Sequence, residues 1–158
     1  IMLRMESTSE SFFILFTFFL CGALFIVIWL IMLYLVSHFG GWRKLHKAYQ
    51  FPSRIGNPFL VKTFQSIQLG MSNYNGIMKL SYYPEGLGME VMILFRFQHP
   101  KILIPWKDIK LKEKSKNIFT WNKLEIGNPV IATISVNNKV LEEINKYINN
   151  PDSTDDRW

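Results

Sequence analysis

The hydrophobic pattern divides the chain into two unlike parts. Residues 12–36, FFILFTFFLCGALFIVIWLIMLYLV, carry no charge and hold Thr17 as the only ordinary polar side chain. As a helix these 25 residues would reach roughly 37 Å, enough to cross a hydrocarbon core of about 30 Å with some tilt. A cleavable signal peptide needs a basic leader, a shorter apolar stretch and small residues at its end. Here Arg4 is outweighed by Glu6 and Glu10, and bulky residues continue to Val36. A helix buried in a soluble fold would leave too little chain to surround a rod of that length. The pattern predicts an uncleaved transmembrane helix over 12–36.

Beyond the run the period shortens to two. FPSRIGNPF, 51–59, is a connector punctuated by Pro, Gly and Asn. VKTFQSIQLGM, 61–71, and IMKLSYY, 77–83, are predicted strands, with Asn75-Gly76 as the tight hairpin turn between them. Tyr83-Pro84-Glu85-Gly86 suits a type I turn. In LGMEVMILFRF, 87–97, Leu87, Met89, Val91, Ile93, Phe95 and Phe97 share one face, with Glu90 and Arg96 opposite. KILIPWKDIKL, 101–111, forms a strand in which Pro105 marks an edge position, a bulge or a break. IFTWNKLEI, 118–126, and PVIATISV, 129–136, follow, separated by Gly127-Asn128.

The last pattern is helical. Asn137 or Asn138 caps a helix through about Ile148, with Val140, Leu141, Ile144 and Ile148 as its apolar stripe and Glu142, Glu143 and Lys146 toward water. Asn149-Asn150-Pro151 ends it. The predicted fold class is membrane-anchored α+β: one N-terminal transmembrane helix, then a small antiparallel β-rich domain of six or seven strands with a C-terminal amphipathic helix. The expected divisions are an extracytoplasmic N-terminus at 1–11, the span at 12–36, a basic and aromatic juxtamembrane linker at 37–58, the β domain at 59–149 and a flexible tail at 150–158.

Charge orients this scheme. Residues 37–54 contain Arg43, Lys44, Lys47 and Arg54 and no acid, whereas residues 1–11 hold one base against two acids. The positive-inside rule then places the N-terminus outside and the β domain in the cytoplasm. Tyr34, His38, Phe39 and Trp42 are expected at headgroup depth, beside Arg43, Lys44 and Lys47, and Gly40-Gly41 lets the backbone turn. Trp42, Leu45 and Tyr49 fall on one face of a short helix.

Candidate chemistry is sparse. Cys21 is the only cysteine and lies within the run, which excludes an intrachain disulfide and a thiolate-rich metal site. His38, His46 and His99 are not spaced as a ligand set, and His99-Pro100 suggests a turn. No nucleophile-elbow, phosphate-loop or zinc-protease motif occurs, and Glu90 and Asp108 are expected on outward faces. No catalytic, metal or cofactor residue is assigned, and with a net charge of +6 and no reader motif no nucleic acid partner is expected.

Within 101–123 there are seven lysines against Asp108 and Glu113, and Lys110, Lys112, Lys114 and Lys116 alternate so that an extended strand puts all four on one face. They are candidates for contact with anionic headgroups, although lysines also protect an exposed edge strand from pairing with strangers. In the run, Thr17, Cys21, Gly22 and Ala23 make the one small-residue patch and the candidate helix-packing face. Trp106, Phe119, Trp121, Tyr82 and Tyr83 exceed what a small sheet easily hides, and Trp106 and Trp121 are candidate partner anchors.

The strand order, with YYPEGLGMEV as a hairpin, IPWKDI entering the next strand and VLEEINKYI as the closing helix, resembles the pleckstrin-homology superfamily, more narrowly its GRAM-like and bacterial PH-like modules. The GGW-basic exit at 40–44, EGL at 85–87 and the IPW-D-I pattern at 104–109 also resemble bacterial single-span membrane proteins. The resemblance implies a curved, partly closed meander that binds lipid headgroups or proteins, in a bacterial inner membrane or its equivalent. Phosphoinositide-binding members gather bases around the first hairpin, where this chain offers only Lys62 and Lys79. The expected function is therefore that of a non-enzymatic accessory or scaffolding subunit with an integral-membrane partner, the alternative being a peripheral binder of anionic lipid headgroups.

Overall fold

The computed structural model describes residues 2–113 and 121–148, with side chains from residue 10 onward. The first helix, α1, runs Met2–Phe39 without a proline to interrupt it. Its Glu10–Phe39 portion is long and apolar enough to cross a membrane, and no residue of its most apolar window is buried by the rest of the chain. The helix ends at a double glycine. Gly40 N–H still bonds back to Val36 O, while Gly41 takes the left-handed conformation at φ 84° and its carbonyl receives Lys44 and Leu45 N–H at the start of α2, Trp42–Ala48.

Seven strands follow: β1 Leu60–Leu69, β2 Ser72–Tyr82, β3 Gly86–Val91, β4 Ile102–Pro105, β5 Ile109–Glu113, β6 Asn122–Ile126 and β7 Ala132–Val136. They form one antiparallel, barrel-like sheet in the order β4-β3-β2-β1-β7-β6-β5, and α3, Asn138–Ile148, closes it. The coarse architecture is thus the one the pattern predicts. Leu69, Met78, Leu80, Met89, Ile104, Ile126 and Val136 fill the interior together with Val140, Leu141 and Ile144 of α3. Asn137 supplies the cap of α3, its Oδ1 accepting Val140 N–H at 2.9 Å. Tyr147, which the predicted stripe omits, packs on Phe59, Tyr82 and Trp106.

Two local expectations are corrected. The first hairpin turns at Gly70-Met71, not at Asn75-Gly76: Leu69 pairs with Ser72, and Gly70 has φ 55°. Asn75-Gly76 instead sits in a bulge of β2, where Gly76 N–H bonds to Ser66 Oγ, and a second bulge in β1 leaves Phe64 at positive φ. The third strand stops at Val91 rather than at Phe97. Its partner β2 bulges away beyond Met78, so Met92 N–H to Ile77 O is the last bond along that edge and residues Ile93–Phe95 wind into a 3-10 turn. Of the alternatives left open at Pro105 the structure shows a break in an edge strand: the stretch 101–111 is interrupted after Pro105 by a 3-10 turn, Trp106–Asp108. Asp108 O there accepts Gly127 N–H. The start of the predicted strand at 118–120 and the tail at 150–158 lie outside the described residues.

Candidate functional site

A tightly packed contact forms where the end of α1 meets the sheet. Leu33 is 7% exposed and Ser37 fully buried, the latter donating its hydroxyl to Gln98 O at 2.6 Å. Gly40 presses on the start of β2, where Ser72 Oγ also reaches Val36 O. Trp42, expected to face the headgroups, is fully buried in the protein. Its Nε1 donates to Pro100 O at 2.9 Å, and its ring meets Tyr74 and His99 at centroid distances of 5.6 and 5.4 Å. The face shared by Trp42, Leu45 and Tyr49 is real, but the β domain covers it. Segment 37–58 therefore contributes to the domain core instead of serving only as a linker.

His99 belongs to the same cluster. Phe97 O can only accept, so Nδ1 carries the proton on its 2.9 Å contact and Nε2 accepts from the Tyr74 hydroxyl at 3.1 Å. Burial holds the ring below its ordinary value, against backbone hydrogen bonds at Phe97 and Phe95 that raise it. Burial likewise pushes the Tyr74 hydroxyl well above the usual tyrosine value. A neutral, fully bonded histidine here fastens α2 to the loop before β4. No sequence motif announced it, because its partners come from distant parts of the chain.

The other residues expected near a membrane surface stay outside. Tyr34 and His38 stack on α1, Arg43 donates to His38 Nδ1 at 3.2 Å and lies 6.0 Å from the Tyr34 ring centre. Lys44 and Lys47 are exposed. Arg43, His46 and Lys47, with Gln98 and Pro100, line a cavity of about 220 Å³; His46 Nδ1 is buried and has no hydrogen-bond partner among the described residues. This basic pocket was not foreseen.

The lysine comb is only partly assembled. β5 is an edge strand, as the protective reading of those lysines requires. Lys112 pairs with Glu125 at 2.6 Å, and that hydrogen bond, then the carboxylate's charge, holds its ammonium above the ordinary value. Lys123 pairs with Glu113, Lys110 is exposed, and Lys114, Lys116 and Phe119 lie outside the described residues. Of the first-hairpin bases, Lys62 pairs with Glu143 and Lys79 with Glu90, which also binds Arg96.

Trp106 is corrected as a partner anchor: it is buried, stacks between Tyr82 and Tyr147 and donates Nε1 to Tyr83 O. Tyr82 and Tyr83 are buried as well, whereas Trp121 is 39% exposed. On α1, Thr17 returns its hydroxyl to Phe13 O, and Phe13, Ile14, Thr17, Phe18 and Cys21 line an open apolar groove of about 340 Å³. Gly22 faces open space and Ala23 is exposed. Among the described residues no group of three or more His, Cys, Asp or Glu is placed to hold a metal ion. Compared with protein-family models the chain matches none, and it shows no significant similarity to a curated protein.

Proposed function

We propose that the protein is a non-enzymatic, single-pass membrane protein, N-terminus outside, whose cytoplasmic PH-like domain and span together form an accessory or scaffolding subunit of a membrane complex. The observation that carries this reading is the locked junction at Leu33, Ser37, Gly40 and Trp42. It holds α1 and the sheet in one fixed relation, so that a partner helix in the groove at Thr17 and Cys21 would be presented with the domain at a set orientation. The test is native-size analysis of the detergent-extracted full chain from its own membrane. A defined stoichiometric second polypeptide is expected, and it should be lost on Gly22→Leu, which fills the open space beside the groove. A lone monomer would refute the reading.

The basic pocket favours a second reading, recognition of anionic phosphate-bearing headgroups. Arg43 and Lys47 each add about 1 kcal/mol when close to an anionic surface. Native mass spectrometry of lipid adducts on the full chain should then show a preference for anionic over neutral lipid. The double substitution Arg43→Gln, Lys47→Gln should weaken that preference roughly 30-fold at low salt. An unchanged preference would remove the pocket from consideration.

A further inference from the structure

The turn after β3 is apolar where a surface turn should be polar. Ile93 and Leu94 are 76% and 74% exposed, and Phe97 is nearly half exposed. Two adjacent aliphatic side chains so fully exposed are a costly way to face water. The same turn reaches the apolar helix: the Phe95 ring lies 5.3 Å from that of Trp29, and the two help line a cavity with Met32, Leu33 and Val36.

Counted from Phe12, about 20 helical residues fill a hydrocarbon core of about 30 Å and end near Ile31. Trp29 falls just inside that limit, so Phe95 and the two residues before it sit at the boundary of the leaflet and not out in the cytoplasm. Within the turn, Phe95 N–H bonds to Met92 O and Arg96 N–H to Ile93 O. Glu90, the acid beside the turn, is held by Arg96 and Lys79, and the half-exposed Arg96 is left at headgroup level.

We infer that Met92 to Phe97 is a membrane-inserting wedge: Ile93 and Leu94 enter the acyl boundary of the leaflet from which α1 emerges, with Phe95 braced on Trp29. The inference rests on the reading of α1 as a span. The lipid leaflet is the occupant because the wedge is continuous with the helix that crosses it. Its effect is to fix the β domain's tilt on the membrane as well as its distance.

The test uses the full chain in a Cys21→Ser background, reconstituted in vesicles of phosphatidylcholine and phosphatidylglycerol. An environment-sensitive fluorophore is placed by Leu94→Cys, with Phe18→Cys reporting on the span and Glu85→Cys on the β2–β3 turn. The label at 94 should show blue-shifted emission and at least a two-fold quench by lipids brominated near the headgroup, with 85 unaffected and 18 quenched by deeply brominated lipids. A label at 94 that reports water while 18 reports lipid overturns the wedge and leaves the span standing. Water at both positions removes the span and the wedge together. A label at 94 shielded from water but not quenched by any lipid means that protein covers the turn, and this too overturns the proposal.

Discussion

His99 and Trp42 carry the junction through complementary chemistry, one by hydrogen bonding and the other by volume. Because the folded imidazole is held below its ordinary value, the unfolded chain binds a proton first as pH falls. The stability this group contributes is complete above the unfolded value of about 6.5 and declines as pH drops through it toward the lower folded value. The urea midpoint of the full chain should therefore fall between pH 7.5 and 5.5, and His99→Phe should flatten that difference. An equally steep fall in the variant would place the titration elsewhere. Trp42→Ala should cost about 3–5 kcal/mol, seen in the same midpoint, since it empties a fully buried site. Nothing local distinguished this tryptophan from an interfacial one. A Trp beside Arg43 and Lys44 at the end of an apolar run has the composition of a headgroup belt, and only Pro100, 58 residues further on, reveals the core.

Among the elements, those whose signal extends over many residues were legible. Within α1 residues 12–36 are apolar almost without break, and α3 combines a cap with a stripe, so Asn137→Ala should destabilise the domain by about 1 kcal/mol, measurable as a lowered unfolding midpoint. Signals held in two residues failed. Asn75-Gly76 is a strong hairpin pair, yet the turn at Gly70 is what buries Ile67, Leu69 and Tyr74, the last against Trp42 and His99. That burial outweighs the local preference, and the displaced glycine serves the bulge. The alternation through Phe97 misled because period two marks which side chains agree, not what covers them; past Val91 the partner strand β2 bulges away after the bond from Met92 N–H to Ile77 O. Gly40 is the element-level weak point. A Cβ there would meet Ser72 Oγ and Val36 O, each at 2.6 Å, so Gly40→Ala should cost about 1–3 kcal/mol. Its signature should be faster proteolysis in the Gly40-Gly41 segment while the sheet stays protected in hydrogen exchange.

For the whole molecule, burial of Leu33 and Ser37 by the β domain limits how much of α1 a membrane could surround. The apolar pattern alone lets lipid reach Val36, but the last turns of α1 already have protein on one side. A 21-residue segment from Phe12 to Met32 is about 31 Å long, which matches the hydrocarbon core with almost no tilt. The remaining turns would then be part of the headgroup-level base on which the domain stands, as the polar contact from Ser37 to Gln98 requires. Two exposed leucines separate the alternatives. In sealed vesicles containing the Cys21→Ser chain, Leu35→Cys should react with a membrane-impermeant maleimide from the domain side, and Leu24→Cys should not react from either side. Protection at both positions would restore the longer span and draw the foot of the sheet into the bilayer. Reaction at both would mean that α1 does not cross lipid at all, and the fixed junction would then orient the domain toward something other than a membrane.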